Sequence, residues 1–281
     1  MGSDVAHLFD RMAASYDRLE PWYEHLYARL ETIARTSLAP PRPGARALDA
    51  GCGTGFQTAW LRDLGFVTHG ADLSAGLLDV ARRKLPAVPF ARADLEALPY
   101  RDGAFDAVTC CGSTLSFVDA PARAIAELGR VLRPRGLVLL ECEQKWSLDL
   151  AWALASAVAG DPLGYGLTPA EAWRQLARPI GEGFHADYPV ALPDGAQGYM
   201  RLRLFTMAEI AAMLRAAGLV TRRAWGIHAV TNVVPSTVLH RPALPRPLAA
   251  VYRALCALDT ALAPVTSRCA NSVVVLAEKV G

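Results

Sequence analysis

From Arg46 to Glu143 short apolar runs alternate with amphipathic segments, and no other feature of the chain narrows its fold as much. The runs predict strands at Arg46–Ala50, Val67–Ala71, Pro89–Asp94, Phe105–Cys111 and Leu137–Glu143. The segments between them predict helices at Gly55–Leu64, Ala75–Lys84 and Ala120–Leu132. This spacing implies right-handed strand–helix–strand units and a parallel sheet covered on both faces, an α/β architecture.

Outside that stretch the rhythm differs. Residues 1–37 read as helical, with Leu8, Met12, Tyr16 and Leu19 at helical spacing and a second amphipathic run over Trp22–Thr36. A breaker cluster, Ala39–Gly44, ends it. After Glu143 come a nearly all-apolar helix, Leu148–Ala159, and an aromatic, Gly/Pro-rich stretch. Thr206 with Glu209 forms a capping box before a helix at Met207–Ala217, which Gly218 stops. A strand is expected over Leu219–Thr231, a helix over Leu248–Ala263 and a last strand over Ser272–Glu278. The chain thus divides into helical residues 1–37, a core over 38–144, an insertion over 145–204, and 205–281 completing the core, with a helical insertion at 235–268.

The first strand runs into Asp49-Ala-Gly51-Cys-Gly53-Thr-Gly55. A glycine-rich turn between a strand and its helix lets a ligand approach the backbone at the helix N-terminus. The spacing is G-x-G-x-G with Phe56 following, which fails the dinucleotide fingerprint, and no Gly-Lys-Ser/Thr follows to make a P-loop. Asp49 would repel a diphosphate and suits a ligand with positive charge. Asp72 ends the second strand, where a carboxylate can accept both ribose hydroxyls, and Asp94 ends the third, where one can accept an exocyclic amine. A nucleoside with a cationic tail would satisfy all three.

Leu48-Asp-Ala-Gly-Cys-Gly-Thr-Gly55, Gly70-Ala-Asp-Leu-Ser74, Ala93-Asp-Leu-Glu-Ala-Leu-Pro99, Phe105-Asp-Ala-Val108 and Leu128-Gly-Arg-Val-Leu-Arg-Pro-Arg-Gly136 together resemble the class I S-adenosylmethionine-dependent methyltransferases. Within them the chain is most similar to the small-molecule group that includes the quinone-biosynthesis C-methyltransferases. The resemblance implies a Rossmann-like, seven-stranded, mostly parallel sheet, its last strand antiparallel, with a helical cap. It implies S-adenosylmethionine as methyl donor and S-adenosylhomocysteine as product. Gly51, Cys52 and Gly53 would wrap the methionine part, with Asp49 facing its ammonium. Asp72 would hold the ribose, Leu73 would pack on the adenine, and Asp94 with Leu95 would read the adenine edge. Cys111 and Gly112 would line the methionine side. Leu8-Phe-Asp-Arg-Met-Ala-Ala-Ser-Tyr-Asp17 resembles the helix that lids the cofactor, and there Tyr16 would reach the methionine carboxylate.

Transfer from a sulfonium needs alignment and water exclusion, and a general base where the acceptor holds its proton. The residues expected for that work are His185, in Gly181-Glu-Gly-Phe-His-Ala-Asp-Tyr188, and Glu143, which ends the fifth strand beside Glu141; Asp187 and Tyr188 stand near His185. His228 reads as structural. Cys110-Cys111 follows Thr109 rather than the proline that precedes a cytosine-methylating cysteine, so both read as core thiols. The expected acceptor is a small hydrophobic molecule such as a quinone, polyketide, terpenoid or lipid. The helix Leu148–Ala159 leaves open core, pocket wall, membrane contact and subunit interface, and with the last a homodimer.

Two alternatives stand beside this reading, a nucleic-acid methyltransferase, which composition disfavours, and a protein that binds S-adenosylmethionine without catalysis. Net charge is +2, from 29 basic and 27 acidic residues, so no global field draws nucleic acid, and no aromatic-plus-basic platform is present. Cys52, Cys110, Cys111, Cys142, Cys256 and Cys269 form no C-x-x-C pair, and no His/Asp/Glu cluster has metal-ligand spacing, so no metal is expected. Met1–Asp10 has no apolar core of a leader, and no apolar run is long enough to span a bilayer. A cytoplasmic protein without integral membrane association is the expectation.

Overall fold

The computed structural model describes residues 2–40, 42–177, 184–191 and 197–281. Two helices open the chain, α1 (Gly2–Met12) and α2 (Pro21–Ser37). The helical rhythm expected through Tyr16 breaks at Met12, and residues 13–17 form turns. Pro21 restarts the helix from its first turn, where a missing N–H costs nothing. Tyr16 is therefore carried by a turn.

The alternating stretch folds as β1 (Arg46–Ala50), α3 (Phe56–Asp63), β2 (Val67–Asp72), α4 (Ala75–Lys84), β3 (Phe90–Arg92), β4 (Phe105–Cys110), α5 (Pro121–Val131) and β5 (Leu132–Glu143). β5 starts before the expected Leu137. Leu132 is buried and pairs with Phe105, while Arg133–Arg135 run along the surface, where Pro134 breaks no buried ladder.

Next come α6 (Leu148–Val158), α7 (Pro169–Ala177) and an antiparallel hairpin, β6 (Phe184–Ala191) with β7 (Gln197–Leu204). The chain closes with α8 (Met207–Ala216), β8 (Leu219–Ile227), α9 (Ser236–Leu239), α10 (Arg246–Leu262) and β9 (Ser272–Lys279). The capping box is present: Thr206 Oγ1 accepts from the Glu209 amide and the Glu209 carboxylate from the Thr206 amide. β8 stops short of the expected Thr231 because His228 takes a left-handed φ of 64°, which no extended strand accommodates.

Seven strands form one sheet in the order β3-β2-β1-β4-β5-β9-β8. β1 to β5 are mutually parallel, and β9 enters antiparallel between β5 and β8. Side chains alternate across the strands. Leu48, Val108, Val138 and Val275 pack on one face, while Ala47, Ala107, Leu139 and Val274 pack on the other against Leu26, Leu30 and Leu61. Both layers are dry, which is why the strands read as nearly unbroken apolar runs. The carboxyl ends of β1, β2, β3, β4 and β5 consequently open on one edge of the sheet.

Candidate functional site

β1 ends in the turn Gly51–Gly55. Gly51 sits at φ 79°, and a Cβ there would run into the Thr114 side chain. The turn is fixed from beneath: the amides of Gly51 and Cys52 both donate to the Ala71 carbonyl at 2.7 and 3.0 Å. From the end of β2, Asp72 accepts from the Gly53 amide and the Ser74 amide, both at 2.8 Å, one on each carboxylate oxygen. Burial pushes the Asp72 carboxyl up, against the pull of these amides.

Ten of the expected donor-site residues line a single cavity at this edge. The glycine turn supplies Gly51, Cys52 and Gly53; the ends of β2 and β3 supply Asp72, Leu73, Asp94 and Leu95; Cys111 and Gly112 follow β4, and Tyr16 closes one side. Asp49 is placed differently. It is fully buried behind the turn, its carboxylate accepting from Thr58 Oγ1 at 2.6 Å and Thr109 Oγ1 at 2.9 Å. Asp49 does not line the cavity, so the expected direct contact of its carboxylate with an ammonium is not what this position offers. Burial pushes this carboxyl up to about 6.

A larger cavity of about 560 Å³ adjoins the first. Its walls are largely apolar and aromatic, with Trp22, Tyr23, Leu150, Tyr165, Leu202 and Leu204 among them, and Glu143 faces it. The two share Phe9, Tyr16, Tyr27, Gly112 and Phe117, so they meet just past the end of β4. Phe9 packs edge-on against Phe117 with ring centroids 5.5 Å apart. Burial pushes the Tyr16 hydroxyl up to about 12, so it stays a neutral hydrogen-bonding group there.

The junction rests on two glutamates. Ser113 adopts a left-handed φ of 58°, uncommon for a residue with a Cβ. Its amide donates to Glu141 at 2.7 Å and its hydroxyl to Glu143 at 2.9 Å, and these bonds hold the strained turn. Asn271 Nδ2 donates to the second Glu143 oxygen at 2.7 Å. Both carboxyls are buried and both are pushed up by burial, Glu143 additionally by the charge of Glu141. Glu141 lines neither cavity.

The other expected residues divide. The backbone of His185 lies on β6 opposite Arg203, but the side chains of His185, Asp187 and Tyr188 lie outside the described residues. Cys110 and Cys111 are buried among apolar side chains, and burial pushes both thiols well up, as core thiols. His228 is buried, stacked on Trp22 with centroids 3.6 Å apart. Among the described residues no group of His, Cys, Asp and Glu is arranged to hold a metal ion. α6 is a pocket wall on one side, through Leu150 and Ala153, and exposed on the other at Leu148 and Val158. Sequence reasoning missed Phe9, Tyr27 and Phe117 at the junction. They share no spacing with the glycine turn, and only their aromatic character on amphipathic segments marked them.

Residues 48–140 match the family model described as a methyltransferase domain. The chain is 37% identical over 142 residues to a demethylmenaquinone methyltransferase of Clavibacter sepedonicus, covering 50% of this chain and 57% of that protein. It is 35% identical over 167 residues to a demethylmenaquinone methyltransferase of Beutenbergia cavernae, covering 59% and 67%. The chain belongs to the class I S-adenosylmethionine-dependent methyltransferases. The methyltransferase is also 38% identical over 148 residues to a malonyl-[acyl-carrier protein] O-methyltransferase of Serratia marcescens, covering 52% and 54%. It spans little more than half the length of the first relatives it matches. The fold extends further. A chain from the complex of the Haloferax volcanii Trm112 methyltransferase activator with a methyltransferase superposes with a TM-score of 0.59 at 16% identity, over 97% of this chain and 98% of that one. The [4+2]-cyclase SpnF superposes with a TM-score of 0.51 at 22% identity, over 90% and 81%.

Proposed function

We propose that this methyltransferase binds S-adenosylmethionine in the cavity at the glycine turn and methylates an O, C or N atom of a small hydrophobic acceptor held in the adjoining cavity. The observation that carries this reading is the junction itself: the cavity at the glycine turn, which carries Asp72 and Asp94, and a larger, largely apolar chamber share one aromatic wall at the carboxyl edge of the sheet. The residues present fit the donor. Asp72 ends β2, where a carboxylate can accept ribose hydroxyls, Leu73 and Leu95 offer an apolar bed for adenine beside Asp94, and Gly51, Gly53 and Gly112 leave the backbone bare where the methionine part would lie. Asp49 and Asp72 place negative potential close to a cationic ligand. S-adenosylmethionine supplies an electrophilic methyl group on a sulfonium.

The chain's own work is alignment and proton removal. Phe9, Phe117 and Tyr27 hold the acceptor against the donor slot and keep water from the junction. Glu143, raised by burial and by Glu141, takes the acceptor's proton near neutral pH. The relatives named above act, by their names, on demethylmenaquinone and on a malonyl-[acyl-carrier protein]. A cytoplasmic location accords with this reading, and among the described residues no helix is long and apolar enough to cross a membrane.

Calorimetric titration with S-adenosylmethionine, S-adenosylhomocysteine and NAD tests the donor assignment. The first two are expected to bind and NAD not. Asp72→Ala is expected to weaken S-adenosylmethionine by about 1.5–3 kcal/mol, the scale of hydrogen bonds to a charged group. Binding of NAD in preference to the sulfonium would overturn the assignment. A panel of apolar quinols, phenols and carboxylic acids then locates the acceptor.

A further inference from the structure

α10 is built inside out. Its buried side chains are Tyr252 and Asp259. The Asp259 carboxylate pairs with His25 Nε2 at 3.0 Å and accepts the amides of His228 and Val230 at 3.0 and 2.8 Å. The face turned to solvent is apolar: Val251 is 54% exposed, Leu258 49% and Leu262 37%, with Val265 just past the helix at 76%. Helical geometry puts Val251, Leu258 and Leu262 on one stripe; the exposed Ala250, Ala254, Ala257 and Ala261 widen this apolar face, and Arg253 and Arg246 lie beyond the alanines at its far edge.

The charge around the stripe has one sign. Residues 241–269 hold four arginines, Arg241, Arg246, Arg253 and Arg268, and one acidic residue, the buried Asp259. All four arginines are exposed. A second copy of the chain fits this face poorly, because residues 241–269 expose no carboxylate that could offset the four arginines of its partner. A surface with anionic groups above an apolar layer fits it well. α10, at 17 residues, is too short and too charged at its start to cross a bilayer, so it would lie in the plane.

We infer that α10 docks the protein on an anionic lipid bilayer, with Val251, Leu258, Leu262 and Val265 in the apolar boundary and the four arginines among the headgroups. The face adjoins the larger cavity: Ser236, Thr237 and His240 line that cavity, and Arg241 follows directly. Docking therefore sets one cavity wall next to the lipid surface. The inference does not rest on methyl transfer, since it follows from α10 and the residues that flank it.

Flotation of the full chain with vesicles tests it, using phosphatidylcholine alone and an equal mixture of phosphatidylcholine and phosphatidylglycerol. The chain is expected to float with the anionic vesicles, to be released by salt, and to bind neutral vesicles weakly. Leu258→Asp is expected to abolish flotation and Arg253→Glu to lower partitioning at least about fivefold. Both positions are exposed, so circular dichroism of the variants should match the parent. Equal binding to both vesicles, or none to either, overturns the inference. So does a dimer in sedimentation analysis that Leu258→Asp dissociates, which would make the face a self-interface.

Discussion

Ser113 shows how much of the site hangs on single atoms. A non-glycine residue at φ 58° persists because Glu141 takes its amide and Glu143 its hydroxyl. The same two carboxyls, buried side by side, cannot both ionise easily, so the proton affinity of Glu143 rises. A general base must be ionised, and a raised base moves the acid limb of the rate profile toward neutrality. Methyl transfer is expected to climb with pH through the neutral range. In Glu143→Gln that limb should vanish and kcat fall by about 10²–10⁴-fold, with a smaller change in the acceptor KM, measured by initial rates across pH. An unchanged profile would assign the limb elsewhere. Asp72 and Asp94 were readable as cavity-lining residues because the carboxyl ends of parallel strands meet at the edge where the sheet opens. Asp49 was readable only in part: its strand position was clear, but Thr58 and Thr109, which turn it inward, come from a helix and a strand distant in sequence.

At the scale of elements, α1 and the turn that follows it are each held to the core by one aspartate. Asp10 accepts from Ser74 Oγ at 2.5 Å and from the Gly76 amide at 2.8 Å, against the N-terminus of α4. Burial opposes its ionisation, but these bonds hold its carboxyl below the ordinary value. Asp17 accepts from Thr54 Oγ1 at 2.6 Å and pairs with Lys84 at 2.8 Å. Asp10→Ala is expected to loosen this lid, weakening S-adenosylmethionine binding and speeding proteolysis within the first 20 residues, checked by titration and limited digestion. Unaltered binding and digestion would show the lid to be held otherwise. β1, β4 and the second half of β5 were legible because a strand buried on both faces needs a continuous apolar run. The β6–β7 hairpin and α7 were not, because their stretch mixes aromatic, Gly and Pro residues without a period. The turn at 13–17 was also hidden, since Tyr16 keeps a helical spacing that the backbone abandons.

For the molecule as a whole, Asp49 sets a cost on charge at the centre of the sheet. Its carboxyl titrates at about 6 in the fold against 3.8 unfolded. The folded state therefore holds that proton more tightly, and the stability it confers is lost as pH rises from about 4 to about 6. Asp49→Asn should remove this decline, an effect of at most about 3 kcal/mol, seen by comparing denaturant midpoints of the two proteins across that interval. Parallel slopes for both would place the proton elsewhere.

The order of strands has a consequence for how the chain is made. β9 begins at Ser272, yet it lies inside the sheet, with Ser272–Ala277 nearly all sealed between β5 and β8. While the polypeptide is being synthesised, β5 must wait with an unpaired edge until residues beyond 272 have left the ribosome. The cavity at the glycine turn can take shape early from residues that emerge together, but the sheet is completed only once residues 272–279 have emerged. A nascent chain stalled before that point would present an open, sticky flank to chaperones.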